Sequence, residues 1–232
     1  MFLIGLTGGI ATGKSTVASI FRRKGAYIVD VDSIIRSLQE PNSRVTRKIV
    51  ARWPQVGVAS LGHVSIDRVA LAKIVFENAH ERKALERIMF LPTVVGIIKE
   101  SLYGLLTSRG LVVVDHPYLY ESRAISWMFA KVIVVWTPAD LQRERLRQRN
   151  PTFSDQHIAH RIGNQIPLEE KIRLADILID NSRSLRDAEQ QVDKVYADIL
   201  AMRRKVRMAI LKTGAFMCIC FLGWKSSAST MV

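Results

Sequence analysis

Five short apolar runs punctuate the chain: Phe2 to Thr7, Ala26 to Asp30, Leu111 to Asp115, Val132 to Trp136 and Ile177 to Asp180. Each is nearly continuous in Val, Ile or Leu and lacks in-out alternation, as strands covered on both faces do. The stretches between them carry helical spacing. This alternation predicts an α/β fold, a five-stranded parallel sheet with helices on each side. Met1 to Leu6 runs straight into glycines without a basic lead segment, so it reads as the first strand and not as a secretory signal.

Two regions interrupt the alternation. Residues 33–109 show no strand pattern and carry helical patterns at Asp67 to Phe76 and Ala79 to Met89, which predicts a helical insertion on the substrate side. Residues 150–171 are polar, follow Pro151, and set Arg161 and Gln165 one helical turn apart, which predicts a mobile lid. The chain divides accordingly into a domain of residues 1–202, containing this insertion and lid, and a tail of residues 203–232.

Composition changes the picture mainly through charge. Apolar residues make up 48% and charged residues 24%, so a disordered or fibrous chain is excluded. Against that ordinary balance, 34 Lys and Arg outweigh 21 Asp and Glu, for a net charge of +13. The tail supplies six of the basic residues (Arg203, Arg204, Lys205, Arg207, Lys212, Lys225) and no acid, which leaves 28 basic against 21 acidic residues, or +7, elsewhere. An anionic partner is implied. Both cysteines, Cys218 and Cys220, lie in the tail, so the core has no disulfide framework, in keeping with a reducing, cytoplasmic setting.

The chemistry starts at Gly8-Gly9-Ile10-Ala11-Thr12-Gly13-Lys14-Ser15, which satisfies G-x-x-x-x-G-K-[ST] between a predicted strand and a predicted helix. Such a loop turns successive N–H groups, through Thr16, onto phosphate oxygens at a helix N-terminus. Lys14 would reach the β- and γ-phosphates of ATP, and Ser15 would offer its hydroxyl to Mg²⁺. Asp115 ends an apolar strand, where an acid holding the metal or its water sits, so Ser15 and Asp115 are the candidate metal residues. No Asn-Lys-x-Asp segment is present to read guanine, which disfavours a GTPase.

A small-molecule kinase further needs an acceptor base and cations over the transferring group. Asp30 and Asp32 end the second strand at the carboxyl edge, where ligands bind. Strand alternation would send both the same way, so that one of them accepts or orients the proton of an acceptor hydroxyl; the alternative is that Asp32 only caps the helix beginning at Ser33. Arg143, Arg145, Arg147 and Arg149 fall on a helix after Pro138, with Arg143/Arg147 and Arg145/Arg149 on different faces. Arg149, beside the lid, is the first candidate catalytic cation, Arg161 is second, and Arg143 reads as a solvated charge.

Taken together, the segments Ile4 to Thr16, Asp30-Val31-Asp32, Asp115 to Ser122, Arg161-Ile162 with Gln165, Pro167 to Lys171 and Ala175 to Asn181 resemble the dephospho-CoA kinases, in the family's order over about residues 1–200. The resemblance implies a P-loop kinase fold and ATP-dependent phosphorylation of the ribose 3′-hydroxyl of dephospho-CoA, giving CoA and ADP. It implies Lys14, Asp32 and Arg149 as catalytic residues, and Thr7, Asp32, Arg36, Pro117, Leu119 and Arg161 on the substrate side. The chain departs from the family at Leu91 (usually His), Asn150 (usually an acid) and His116 (usually aliphatic). Leu91 puts acceptor affinity in question, while His116 and His160 read as structural or surface residues. Two rivals stand beside this reading: another P-loop kinase acting on a nucleoside or nucleotide, and a non-catalytic basic module for nucleic acid. No nucleic-acid motif supports the second, so nucleic acid is not an expected partner.

The tail run Met208 to Trp224 is 17 residues long and includes Lys212, below the ~20 residues that spanning needs. A shallow membrane anchor is expected instead. Arg203 to Arg207 would meet anionic headgroups, Phe216, Phe221 and Trp224 would sit at the interface, and Cys218 or Cys220 would accept an acyl chain. A tail packed on the domain or disordered is the alternative, and a mitochondrial surface or interior stays open beside the cytoplasm.

Overall fold

β1 (Leu3–Gly8) is buried at every position because helices cover both of its faces. The computed structural model describes residues 3–60, 62–107, 111–121 and 123–228, without the side chains of residues 60, 123, 124, 207 and 209–228. β1 is the middle strand of a five-stranded parallel sheet. Its neighbours are β2 (Tyr27–Asp30), β5 (Val112–Asp115), β6 (Phe129–Trp136) and β7 (Ile177–Asp180), in the order β2-β5-β1-β6-β7. The register aligns Asp30 with Asp115, Asp115 with Leu6, and Trp136 with Asp180, so one edge collects the carboxyl ends of all five strands. A crevice at that edge, where connections diverge from the central strand, is the usual ligand position in open α/β sheets.

Side-chain alternation divides the core between the two faces. Ile4 and Leu6 pack with Val17 and Phe21 of α1 (Lys14–Arg23) and with Val192 and Ile199 of α9 (Leu185–Ala228). Leu3, Val29 and Val114 pack on the other face with Val31 of α2 (Val31–Leu38) and Ile97 of α5 (Ala79–Thr107). The five runs expected as strands are therefore the five strands of this sheet.

The insertion departs from its expected all-helical character. Alongside α3 (Arg44–Arg52) and α4 (Arg68–Glu77) it contains an antiparallel hairpin, β3 (Gly57–Ser60) and β4 (His63–Ile66), with Gly62 at φ 80° in the connection. Each hairpin strand has only four residues, too few for a period-two pattern to stand out. Val45, Ile49, Trp53, Val56 and Leu71 give the insertion a core of its own.

α5 also exceeds its expected end at Met89, running through Pro92 for 29 residues. An internal proline removes one helical hydrogen bond at a cost of about 3 kcal/mol. Packing against the β2 edge of the sheet compensates, with Tyr27 of β2 fitting against Gly104. A Cβ at Gly104 would lie 2.4 Å from Tyr27 Cδ1, so only glycine permits this approach. Leu91 sits on the outer face of α5 and is exposed.

The expected lid, residues 150–171, contains α7 (Asp155–Gly163) and the start of α8 (Leu168–Leu174), and follows α6 (Ala139–Arg149). Ser154 caps α7 by accepting from His157 N. Among the described side chains of α9, Ile199 is the last buried one. The expected anchor residues Phe216, Cys218, Cys220, Phe221 and Trp224 lie outside the described side chains.

Candidate active site

At the carboxyl end of β1 the chain turns tightly. Thr12 N and its hydroxyl both donate to Gly9 O, at 3.3 and 2.9 Å, and the chain enters α1 through Gly13 at φ 83°. A Cβ at Gly13 would lie 2.0 Å from Asn181 Nδ2, so glycine is required for space as well as for conformation. Ala11 takes φ 61°. An L-residue in that left-handed region costs about 1–2 kcal/mol, strain of the kind found at ligand-binding loops.

Outside supports hold the loop open. Asn181, just past β7, donates from Nδ2 to Thr12 O at 2.8 Å, and Arg145 Nη2 donates to Asn181 O at 3.0 Å. Gln165 Oε1 accepts from Ile10 N at 2.8 Å, which ties the segment between α7 and α8 to the loop. Gly9 through Thr16 thereby wall a cavity of about 770 Å³. Asp32, Pro117, Arg145, Arg149 and Asn181 also line it.

Within this cavity Lys14 pairs with Asp115, and both side chains are largely buried. Burial pushes the Asp115 carboxyl above its ordinary value, Lys14 opposes the shift, and Asp30 and Asp32 add to it. Asp115 therefore feels two further carboxylates beside its one ammonium partner. Asp30, not Asp32, caps α2, accepting from Ser33 N at 3.1 Å. The helix begins at Val31, so strand alternation no longer relates the two acids, and Asp32 in the first turn is left to the cavity wall.

The four arginines of α6 divide by face. Arg143 pairs with Asp140 at 3.7 Å and Arg147 with Asp155 at 2.6 Å, while Arg145 and Arg149 line the cavity. Arg149 takes part in no ion pair among the described residues.

Other expected residues stand apart from the cavity wall, and each has a physical reason. Thr7 is fully buried with its hydroxyl donating to Pro117 O at 3.2 Å, a tie between β1 and the loop after β5. Leu119 is buried against Gly5, and Gly8 lies behind Thr12 in strand register. Arg36 is exposed and faces Asp30 at 3.7 Å. Arg161 donates from Nε to His157 Nε2 at 3.2 Å and stacks on Phe153 at 4.6 Å, which keeps it on α7. His160 is exposed, with its ring near Phe76.

Sequence reasoning missed Arg145 and Asn181. A signal existed for both: Asn181 follows a strand at the carboxyl edge, and Arg145 shares a helix face with Arg149. It also missed a second cavity, of about 740 Å³, between α2, α5 and the loop after β5. Tyr118 lines both cavities, so they adjoin.

His116 in the second cavity wall is buried, not a surface residue. Burial, then Lys14, pull its imidazole down to about 4 from the usual 6.5. The unfolded chain therefore binds a proton that the folded chain refuses between those values. Stability is intact above pH 6.5, falls as pH drops toward 4 and levels off below, a loss on the order of 3 kcal/mol at about 1.4 kcal/mol per unit. Urea unfolding across that range should show this slope in the parent chain and a shallower one in His116→Val.

For a metal, the available donors are oxygens. Ser15 lines the cavity and Asp115 faces it through Lys14, and no group of three or more His, Cys, Asp or Glu gathers among the described residues. Mg²⁺ suits one or two protein oxygens, since it keeps waters and takes phosphate oxygens for the rest.

Comparison with known proteins fits this geometry. A family model described as dephospho-CoA kinase matches residues 2–187. A dephospho-CoA kinase of Bacillus licheniformis is 40% identical over 193 residues, covering 83% of this chain and 94% of its own length. One of Arabidopsis thaliana is 34% identical over 216 residues, 93% of this chain and 91% of its own. Among solved structures, TT1252 from Thermus thermophilus superposes with a TM-score of 0.73 at 28% identity, covering 85% of this chain and 97% of that one. A dephospho-CoA kinase from Campylobacter jejuni gives 0.60 at 30% identity, covering 85% and 96%.

Proposed function

We infer the workings of this site from one premise: the chain belongs to the dephospho-CoA kinase family, and is an ATP-dependent kinase with dephospho-CoA as acceptor. The P-loop amides from Gly9 to Thr16 take the phosphates of ATP, and Lys14 exchanges its Asp115 partner for the β- and γ-phosphate oxygens. Asp32 orients the ribose 3′-hydroxyl and receives its proton. The hydroxyl oxygen bonds to the γ-phosphorus as the bond to the β,γ-bridging oxygen breaks, so ADP leaves and CoA forms. Arg149, with Arg145 behind it, supplies positive charge over the group in transit.

Ser15 and Asp115 are the residues that would hold Mg²⁺. When bound, the ion offsets charge on the β- and γ-phosphates. The observation carrying this reading is the shared cavity wall of Lys14, Asp32 and Arg149, which supports a triphosphate and an acceptor hydroxyl meeting at one point. ADP release measured with dephospho-CoA, AMP and nucleosides offered separately tests it. Turnover should be confined largely to dephospho-CoA, and silence with that acceptor alone would overturn the reading.

The lid and tail divisions belong to the same proposal. Residues 150–171 close over the reacting groups, and residues 203–232 make peripheral contact with anionic membranes. The basic run from Arg203 to Arg207 supports the second. Deletion of residues 203–232 should leave turnover unchanged and abolish flotation with phosphatidylserine vesicles. Equal flotation of both chains would count against the anchor.

A further inference from the structure

The second cavity holds two polar atoms that the fold itself does not satisfy. His116 Nδ1 and Glu121 Oε2 are both buried, and neither has a hydrogen-bond partner among the described residues. His116 is only 6% exposed. The other oxygen of Glu121 is committed, accepting from Ile166 N at 3.1 Å and from the fully buried Lys171 at 2.8 Å. Lys171 also donates to Pro117 O at 3.1 Å. The carboxylate is thereby fixed in place with one oxygen unused. A buried acceptor left without a partner is unfavourable, and native folds tolerate few of them.

The cavity's position relative to the reacting groups gives these atoms a use. Asp32 lines the P-loop cavity and Ile35, on the next turn of α2, lines the second one. Residues three apart on a helix share a face, so an acceptor whose hydroxyl meets Asp32 extends past Tyr118 into this space. Its walls combine apolar side chains, Phe90, Val94 and Ile125, with the cations Lys83 and Arg87. That mixture suits a ligand with a diphosphate, apolar segments and N–H donors. Dephospho-CoA has all three.

We propose that His116 adds to acceptor affinity: its Nδ1, together with Glu121 Oε2, takes up hydrogen bonds with N–H groups of dephospho-CoA lodged in the second cavity. The inference rests on the function proposed above and deepens it. The charges acting on the imidazole are those of Lys14, Glu121 and Lys171; Glu121 and Lys171 hold each other, and Lys14 is held by Asp115 until nucleotide takes it up. Its role is therefore one of directional hydrogen bonding, available only to a ligand that enters the cavity.

Steady-state kinetics of His116→Val and His116→Asn test the assignment. The valine variant should raise the KM for dephospho-CoA about tenfold, the loss of one buried hydrogen bond, with kcat and the KM for ATP within about twofold of the parent. Asparagine, which keeps a polar group there, should recover most of that loss. A structural residue would move neither KM selectively, so an unchanged dephospho-CoA KM in His116→Val overturns the proposal. In the parent chain, ¹⁵N spectra should show the His116 Nδ1 resonance shifting on titration with dephospho-CoA; an unmoved resonance also overturns it. A parent chain inert toward dephospho-CoA would instead refute the proposed function, whatever the variants do.

Discussion

Lys14→Ala should reduce kcat about a thousandfold or more, with a melting temperature close to that of the parent chain. The expectation follows from what the ammonium does in each state. With no nucleotide, Lys14 pairs with Asp115, a carboxyl that burial already pushes above its ordinary value. Losing the cation removes what opposes that rise, so the carboxyl moves further toward its neutral form. That shift limits the 3–5 kcal/mol that a stranded buried charge would cost. Catalysis has no such relief. Removing even one neutral donor aimed at developing charge costs about 10²–10³ in kcat, and a full positive charge on the transferring phosphoryl group contributes at least as much. Arginine is not an equivalent replacement, because a planar fork does not fit where a point charge enters a ring of amides. Single-turnover rates beside thermal melts would separate the two effects. A variant with normal turnover would remove Lys14 from the mechanism.

Asp32→Asn should lower kcat about a hundredfold while the KM for ATP stays within about threefold. Amide and carboxylate are nearly the same shape, so the cavity wall and the first turn of α2 are preserved. What disappears is the proton acceptor. Positioned bases contribute about 10²–10⁴, and phosphoryl transfer through a loose transition state asks little of its base, which selects the lower end. Asp30→Ala provides the contrast. Asp30 caps α2 from a half-exposed position and does not line the cavity, so its variant should lose about 1 kcal/mol of stability and keep turnover. Full activity in Asp32→Asn would end its assignment as acceptor base.

The difference between those two aspartates marks how far the sequence could be read. The β1 run, the glycine loop and the Lys-Ser pair were legible because each rests on a local rule, continuous burial or a required positive φ. Asp30 and Asp32 were not separable, because their roles depend on whether strand or helix claims Val31, and an isolated valine suits either. Among the arginines, helical spacing joined Arg145 to Arg149, but the choice of face belongs to Asn181, which lies 36 residues from Arg145 and is brought near by β7. The hairpin at Gly57–Ser60 and His63–Ile66 was too short for its period to register. Pro92 concealed the second half of α5, whose packing on Tyr27 offsets the proline. The second cavity left no local trace, since residues from α2, α5 and the loop after β5 form it only on folding.

In the proposed reaction a phosphoryl group gripped by the P-loop passes to one hydroxyl of dephospho-CoA. Incubating the full chain with Mg²⁺, ATP labelled at the γ-position and dephospho-CoA, then identifying the labelled product by mass and by phosphate position, tests it most directly. A single labelled product is expected, CoA bearing phosphate on the ribose 3′-oxygen and formed one for one with ADP. Label released only as inorganic phosphate, or found on another atom of the acceptor, would contradict it.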